Sequence, residues 1–377
     1  MKSRTFAVFM VAAFWAAALF LGALLFFADK KWCGDWKKGE IAGGEVIFRE
    51  AKTQFISQKD VPYNAYILGG SKAGFLKPAT FDLYSGKHFY NFYTDVGLFS
   101  NYERFSNYII DRQGKNAQEI LIHLSTYETN GYDDAVYVPY EMQANIFLKA
   151  KSRLQFFKEK YLNSGYFNNL RNFHRIQKSN IEPSGEINSS ECEQKSAQNP
   201  EKFVETYVLN NFQVNLKKLF YEEPHLRFCK KDIEALKRIK RRCDENGTKL
   251  TVVIGAHFIS AYADEFGSDF DAYLRDLVSV AGEVWTFCGF CGENRNPYNF
   301  VNAGHFWKFV GDKMIETMYS PEPNTRDMDA FGILLNADNI DEYIESQKQK
   351  WRALKAEYDK TGAITLQGKT DASYLGK

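Results

Sequence analysis

The chain has 377 residues, a formal net charge of +1 and 45% hydrophobic residues, enough for one elaborated domain with a sizeable core. Its 48 basic and 47 acidic residues are scattered, so there is no concentrated basic face to neutralise a phosphate backbone, and a nucleic-acid partner is not expected. Aromatic residues make up 16% of the chain, which reads as a Tyr- and Phe-rich core rather than a sugar-stacking surface.

Residues 6–28 contain no charged side chain, and their length is about that of the ~20-residue helix that crosses a bilayer. Leu24, Leu25, Phe26 and Phe27 continue the apolar run to Asp29 with no small-residue cleavage site, so residues 1–28 read as a retained transmembrane anchor rather than a cleaved signal. Lys2 and Arg4 precede the span and Lys30 and Lys31 follow it, which nearly balances the positive-inside count. The short N-terminal tail favours a single-pass protein of the cytoplasmic membrane with its C-terminal domain in the periplasm or outside the cell. Six cysteines, an even number, would permit disulfides there, but their pairing is not legible.

Residues 29–60 read as a tether and 61–320 as an α/β domain. Ala65-Tyr66-Ile67-Leu68 is an apolar run ending in Gly69-Gly70-Ser71, a strand meeting a tight turn. His88 to Asn91 reads as a second strand, and Glu119 to Leu124, with Ile120, Leu121 and Ile122 in succession, as a strand buried on both faces. Residues 177–202 are polar, rich in Ser, Asn and Glu, and read as a surface insertion or disordered loop.

Ile233, Leu236, Ile239 and Cys243 recur at helical steps before the stop Asn246-Gly247. Leu250 to Ile254 then reads as a strand, Phe270 to Val278 as an amphipathic helix and Val284 to Phe287 as a further strand. This alternation predicts a mainly parallel sheet in a three-layer α/β sandwich. Cys288 and Cys291 form a lone CxxC, read first as a structural disulfide, with free buried thiols and a redox pair as the alternatives. A last core helix runs from about Phe306 to Met318, and 321–377 reads as a charged helix with a loosely held tail.

In an open α/β sheet, ligands bind beyond the carboxyl ends of the strands, where Ser71 and the loop before His305 both fall. A serine hydroxyl becomes a useful nucleophile when a histidine within hydrogen-bond reach takes its proton and a third group fixes the imidazole tautomer. Taken alone, Gly-Gly-Ser is common turn chemistry and a single His at a helix start is more often structural. Their joint placement raises both above that reading.

At these residues the sequence resembles the SGNH, or GDSL-like, hydrolase superfamily. It is most similar to the membrane-anchored branch that includes the D-alanyl transfer protein of teichoic acid and the alginate O-acetylation proteins. Leu68-Gly69-Gly70-Ser71-Lys72 resembles the first block, which carries the nucleophile. Phe89-Tyr90-Asn91 with Thr94-Asp95-Val96 resembles the second, and Glu119 to Ser125 lies where the third is delivered. Phe300-Val301-Asn302-Ala303-Gly304-His305-Phe306 resembles the last block, usually Asp-x-x-His, with Asn302 where the family has Asp. The Gly of the second block and the Asn of the third, both oxyanion-hole residues in the family, have no clear counterpart.

The resemblance implies acyl-ester chemistry on a cell-envelope polysaccharide through a Ser71 acyl-enzyme, with His305 as base, Asn302 as its orienter and a membrane-bound O-acyltransferase as partner. Asn91, Asp95, Ser125 and His257 are the oxyanion or pocket candidates. The rival reading is a non-catalytic binding or assembly subunit that keeps the fold. Glu128, Asp133 and Asp134 read as solvated loop residues, so no metal is expected. Neither a phosphate loop nor a dinucleotide fingerprint is present, so no cofactor is expected.

Overall fold

The computed structural model describes residues 5–6, 8–17, 19–20, 45–57, 61–94, 97–125, 137–157, 181–222, 230–264 and 270–368. The chain forms two compact units, one of residues 1–55 with 139–183 and the other of 56–138 with 184–377.

In the smaller unit the helix Glu45–Ile56 presents Glu50, whose Oε2 accepts the Tyr140 N–H at 2.9 Å. A second helix, Ile146–Phe157, carries Arg153, whose guanidinium lies 4.4 Å from the centroid of the Tyr140 ring. Residues 8–17 are helical, and Phe9, Phe14 and Trp15 on them are exposed. Among the described residues no helix is long and apolar enough to cross a membrane. The expected span over 1–28 thus has no spanning helix among them, and 21–28, its second part, lie outside the described residues.

The larger unit is built on a six-stranded, mostly parallel sheet. In chain order its elements are β1 (Ala65–Gly69), α1 (Pro78–Ser85), β2 (Phe89–Asn91), α2 (Phe99–Gln113), β3 (Glu119–Leu124), α3 (Ser190–Gln198) and α4 (Phe212–Tyr221). There follow α5 (Lys230–Asn246), β4 (Lys249–Ile254), α6 (Phe270–Ala281), β5 (Val284–Thr286), β6 (Phe300–Asn302), β7 (His305–Phe306), α7 (Lys308–Met318), β8 (Ile333–Leu335) and α8 (Ile340–Thr361). The strand order is β2-β1-β3-β4-β5-β8, with only β8 antiparallel to its neighbour, while β6 and β7 form a separate antiparallel pair. The chain winds from β1 outward to β2 and then back past β1 to β3. In open α/β sheets ligands bind beyond the carboxyl ends of the strands at such a reversal, here those of β1 and β3.

All five residues of β1 and all six of β3 are buried, as their continuous apolar runs predict for strands covered on both faces. Ile233, Leu236, Ile239 and Cys243 form the buried stripe of α5, each worth about 1.5–3 kcal/mol for an aliphatic side chain removed from water. That stripe packs α5 against α2 and α6, while α1 packs against α7. Aromatic residues fill much of this core: Phe81 stacks on Phe89 with centroids 4.5 Å apart, and Tyr66, Tyr90, Phe92 and Phe99 are fully buried. At the amino end of β3 the buried Glu119 accepts from Lys87 at 2.5 Å, Thr251 at 2.6 Å and Tyr319 at 3.0 Å, a buried charge with its partners in place.

Three segments differ from the sequence-based expectation. Within the polar stretch 177–202, residues 184–187 lie against the site-bearing turn: Asn91 N–H donates to Ser184 O at 2.9 Å and Ile187 N–H to Gly74 O at 2.8 Å, and α3 follows. Composition gives no hint of this, because the contacts are made by backbone groups. The C-terminal part supplies the edge strand β8 as well as a helix, and α8 is tied inward by Tyr343 Oη donating to Cys288 O at 3.1 Å. Cys288 and Cys291 are buried thiols rather than a disulfide, with Cys288 Sγ donating to Gly255 O at 2.6 Å, and Cys192 and Cys243 are likewise not in a disulfide. Cys33 and Cys229 lie outside the described residues.

Candidate active site

β1 ends where the chain must bend sharply. A Cβ on Gly69 would come within 2.4 Å of Ala73 Cβ, so only glycine lets the backbone fold back on itself here. Beyond Gly70 the chain makes a short 3₁₀ turn, Ser71–Phe75, closed by Ala73 N–H donating to Gly70 O at 3.0 Å. The turn sets the Ser71 hydroxyl, half-buried, at the carboxyl end of β1.

Asn91, the last residue of β2, holds this turn in place. Its Nδ2 donates to Ala73 O at 2.7 Å and Leu76 O at 2.8 Å, and its Oδ1 accepts the Tyr93 N–H at 3.1 Å. Both amide hydrogens are spent on carbonyls of the turn, so Asn91 braces the segment that carries Ser71 and has no amide hydrogen left for the oxyanion role expected of it.

His305 arrives from the other side on the β6–β7 pair, in which Asn302 and His305 face each other in register. His305 Nε2 lies 2.8 Å from Ser71 Oγ across 234 positions of sequence, and its Nδ1 lies 2.9 Å from Asn302 Oδ1. The same Oδ1 accepts the Gly304 N–H at 3.0 Å, which identifies it as the amide oxygen. His305 Nδ1 must then be the protonated nitrogen, leaving Nε2 to accept from the Ser71 hydroxyl. Phe75 packs beside the imidazole, with ring centroids 5.8 Å apart. Ser71, His305 and Asn302 are thus brought together as one hydrogen-bonded relay.

Behind the relay lie two further histidines and a lysine. His257, in the loop after β4, is fully buried, and its Nδ1 accepts from Lys72 Nζ at 2.9 Å. His123 on β3 is fully buried too, its ring 5.9 Å from that of Phe306. A Cβ on Gly255 would come within 1.9 Å of His123 Nε2, so the imidazole lies over bare backbone there. Burial, and then the Lys72 ammonium, push His305 down to about 4. Burial first, then Lys72 and His257, take His123 down to about 3. His257 is held well below its ordinary range by burial, Lys72 and His305. All three imidazoles are therefore neutral near pH 7.

Ser125 directly follows β3 and its side chain is buried at the carboxyl end of the sheet, while Asp95 lies outside the described residues. Among the described residues no group of three or more His, Cys, Asp or Glu side chains is arranged to hold a metal ion. Lys72 is a buried polar residue of this cluster that sequence reasoning misses. It stands beside Ser71 in Gly-Gly-Ser-Lys, but its burial and its bond to His257 depend on β4 coming alongside β3.

No protein-family model matches the chain, and no curated protein matches it either. A hydroxyl aimed at a neutral imidazole Nε2, with Nδ1–H fixed by an amide oxygen, can pass its proton to the base as the serine oxygen attacks an electrophilic carbonyl.

Proposed function

We propose that this chain is a membrane-anchored serine acyltransferase or esterase of SGNH-like, three-layer architecture, acting on a cell-envelope polysaccharide from the periplasmic or outer side of the cytoplasmic membrane. The Ser71–His305–Asn302 relay at the carboxyl end of β1 carries this reading. Support for the architecture comes from the strand order β2-β1-β3-β4-β5, and support for the anchor from the charge-free stretch 6–28. A membrane-bound O-acyltransferase is the partner that the family resemblance implies.

In the reaction, Ser71 Oγ attacks the acyl carbonyl as its proton passes to His305 Nε2. The tetrahedral intermediate collapses, the leaving oxygen takes that proton, and the acyl group remains on Ser71. A sugar hydroxyl or water then attacks the acyl carbon as its proton passes to His305 Nε2; the bond from the acyl carbon to Ser71 Oγ breaks, and Ser71 Oγ takes that proton back. The Ser71 N–H, at the first position of the 3₁₀ turn and without an acceptor inside it, is the first candidate for the oxyanion donor. A second reading, a non-catalytic binding subunit with the same fold, is favoured by Asn302 in the place of a carboxylate and by Asn91 spending both amide hydrogens on the turn.

Labelling of the full chain with a fluorophosphonate probe separates the two. The catalytic reading expects labelling that is lost in Ser71→Ala and falls at least 10²-fold in His305→Ala. Absence of labelling in the wild type would favour the binding subunit.

A further inference from the structure

The smaller unit leaves large apolar side chains uncovered. On its helix Ile146–Phe157, Ile146, Phe147, Leu148 and Leu154 are exposed, Phe147 at 84% and Leu154 at 70%. At about 3.6 residues per turn Phe147, Ala150, Lys151 and Leu154 fall on one face, and all four are exposed. Ser152 and Phe156, on the opposite face, are buried. Lys149 and Arg153 lie on that inner side, 5.1 Å and 4.4 Å from the centroid of the Tyr140 ring. The inner face is thus taken up within the unit while the outer face is open to solvent. Lys149, Lys151 and Arg153 make the helix basic, and it carries no acidic residue; Glu141, half-buried, precedes it. The same unit carries the exposed Phe9, Phe14 and Trp15.

Resting on the reading of the chain as membrane-anchored, we infer that the helix Ile146–Phe157 is a second membrane contact, lying flat in the headgroup region of an anionic bilayer with Phe147 and Leu154 turned toward the acyl chains and Lys151 toward the phosphates. Its 12 residues extend about 18 Å, well short of the ~30 Å hydrocarbon core, so the helix lies on a membrane rather than across it. Lys151 decides between a bilayer and an apolar groove on another protein. It stands between Phe147 and Leu154 on the open face, so a protein groove that covered both would bury its ammonium and would have to supply a carboxylate. At a bilayer the lysine stem lies along the apolar surface while the ammonium reaches the phosphates, and anionic headgroups attract the basic helix. A single span leaves what it carries free to turn about the span axis. A second contact in the same unit removes that freedom.

The test places a photoreactive benzophenone side chain at position 147 or 154 of the full chain, reconstituted in phosphatidylcholine vesicles containing about one-third phosphatidylglycerol. Position 83, exposed on α1, reports chance collisions, and position 14 reports the anchor. Mass spectrometry identifies the adducts. The expected result is lipid adducts at 147 and 154 about fivefold or more above those at 83, falling about threefold or more in Lys151→Glu and in vesicles without phosphatidylglycerol. Lipid adducts at 147 and 154 no greater than at 83 would overturn the inference, as would adducts there to a second copy of this chain in place of lipid. Lipid adducts at 14 with none at 147 or 154 would overturn it and leave the anchor standing. Adducts at 147 and 154 with none at 14 would remove the anchor and leave the surface contact standing.

Discussion

His305 and Asn302 are joined Nδ1 to Oδ1 at 2.9 Å, from facing positions on two short strands. Because Oδ1 also accepts the Gly304 N–H, the amide cannot flip without losing both bonds. The tautomer of the His305 imidazole is therefore set by a neutral group. Orientation is retained, but the charge that an aspartate would bring to a forming imidazolium is absent.

Replacing Asn302 tests this separation of roles. Asn302→Asp keeps the acceptor and adds a negative charge, so the His305 midpoint should rise from about 4 and labelling at pH 7 should be faster by about tenfold or more. Asn302→Leu removes the acceptor and frees the ring to take the wrong tautomer, with an expected rate loss of about 10²–10⁴. Second-order labelling rates across pH 4–8 measure both.

Asn91 binds two carbonyls of the turn that carries Ser71, and it is fully buried. Asn91→Ala leaves Ala73 O and Leu76 O without these donors, at an expected cost of about 2–4 kcal/mol in urea unfolding. Asn91→Asp should be worse, because a carboxylate would face the same two carbonyl oxygens. Any protein that still folds should label more slowly, since the turn loses its brace.

The buried histidines predict a fall in stability at acid pH. His123 and His305 take protons only near 3 and 4 in the folded chain, and His257 well below its ordinary value, whereas all three titrate near 6.5 once unfolded. The contribution of these three imidazoles is therefore complete above about 6.5 and is lost as pH falls toward 4, where the unfolded chain binds protons that the folded one refuses. Each histidine contributes up to about 1.4 kcal/mol per pH unit across that window. Burial pushes the Asp232 carboxyl up to about 7, which opposes the decline over the same range, so urea midpoints from pH 7 to 4.5 should fall more steeply in Asp232→Asn and less steeply in His123→Leu.

Much of the sheet is legible in local pattern alone. β1, β3 and β4 are continuous apolar runs because both faces are covered, and α5 shows its stripe because only one face is. Ser71 and His305 stand out because a strand–turn junction and a short block before a core helix are themselves local features. The edge strand β8 is not legible: Ile333–Leu335 is three residues long, too short for either period to register.

By itself the sequence determined the α/β alternation, the strand and turn that lead to Ser71 and the three residue types of a relay. Only the tertiary structure decided that Ser71 Oγ and His305 Nε2 stand 2.8 Å apart, that Asn91 braces the turn, and that Lys72 points inward to His257. These contacts join residues far apart in the chain, and they depend on strand order and on the angle at which the β6–β7 pair meets the sheet. Periodicity reports which face of an element is buried. What that face meets is decided only when the sheet has closed around it.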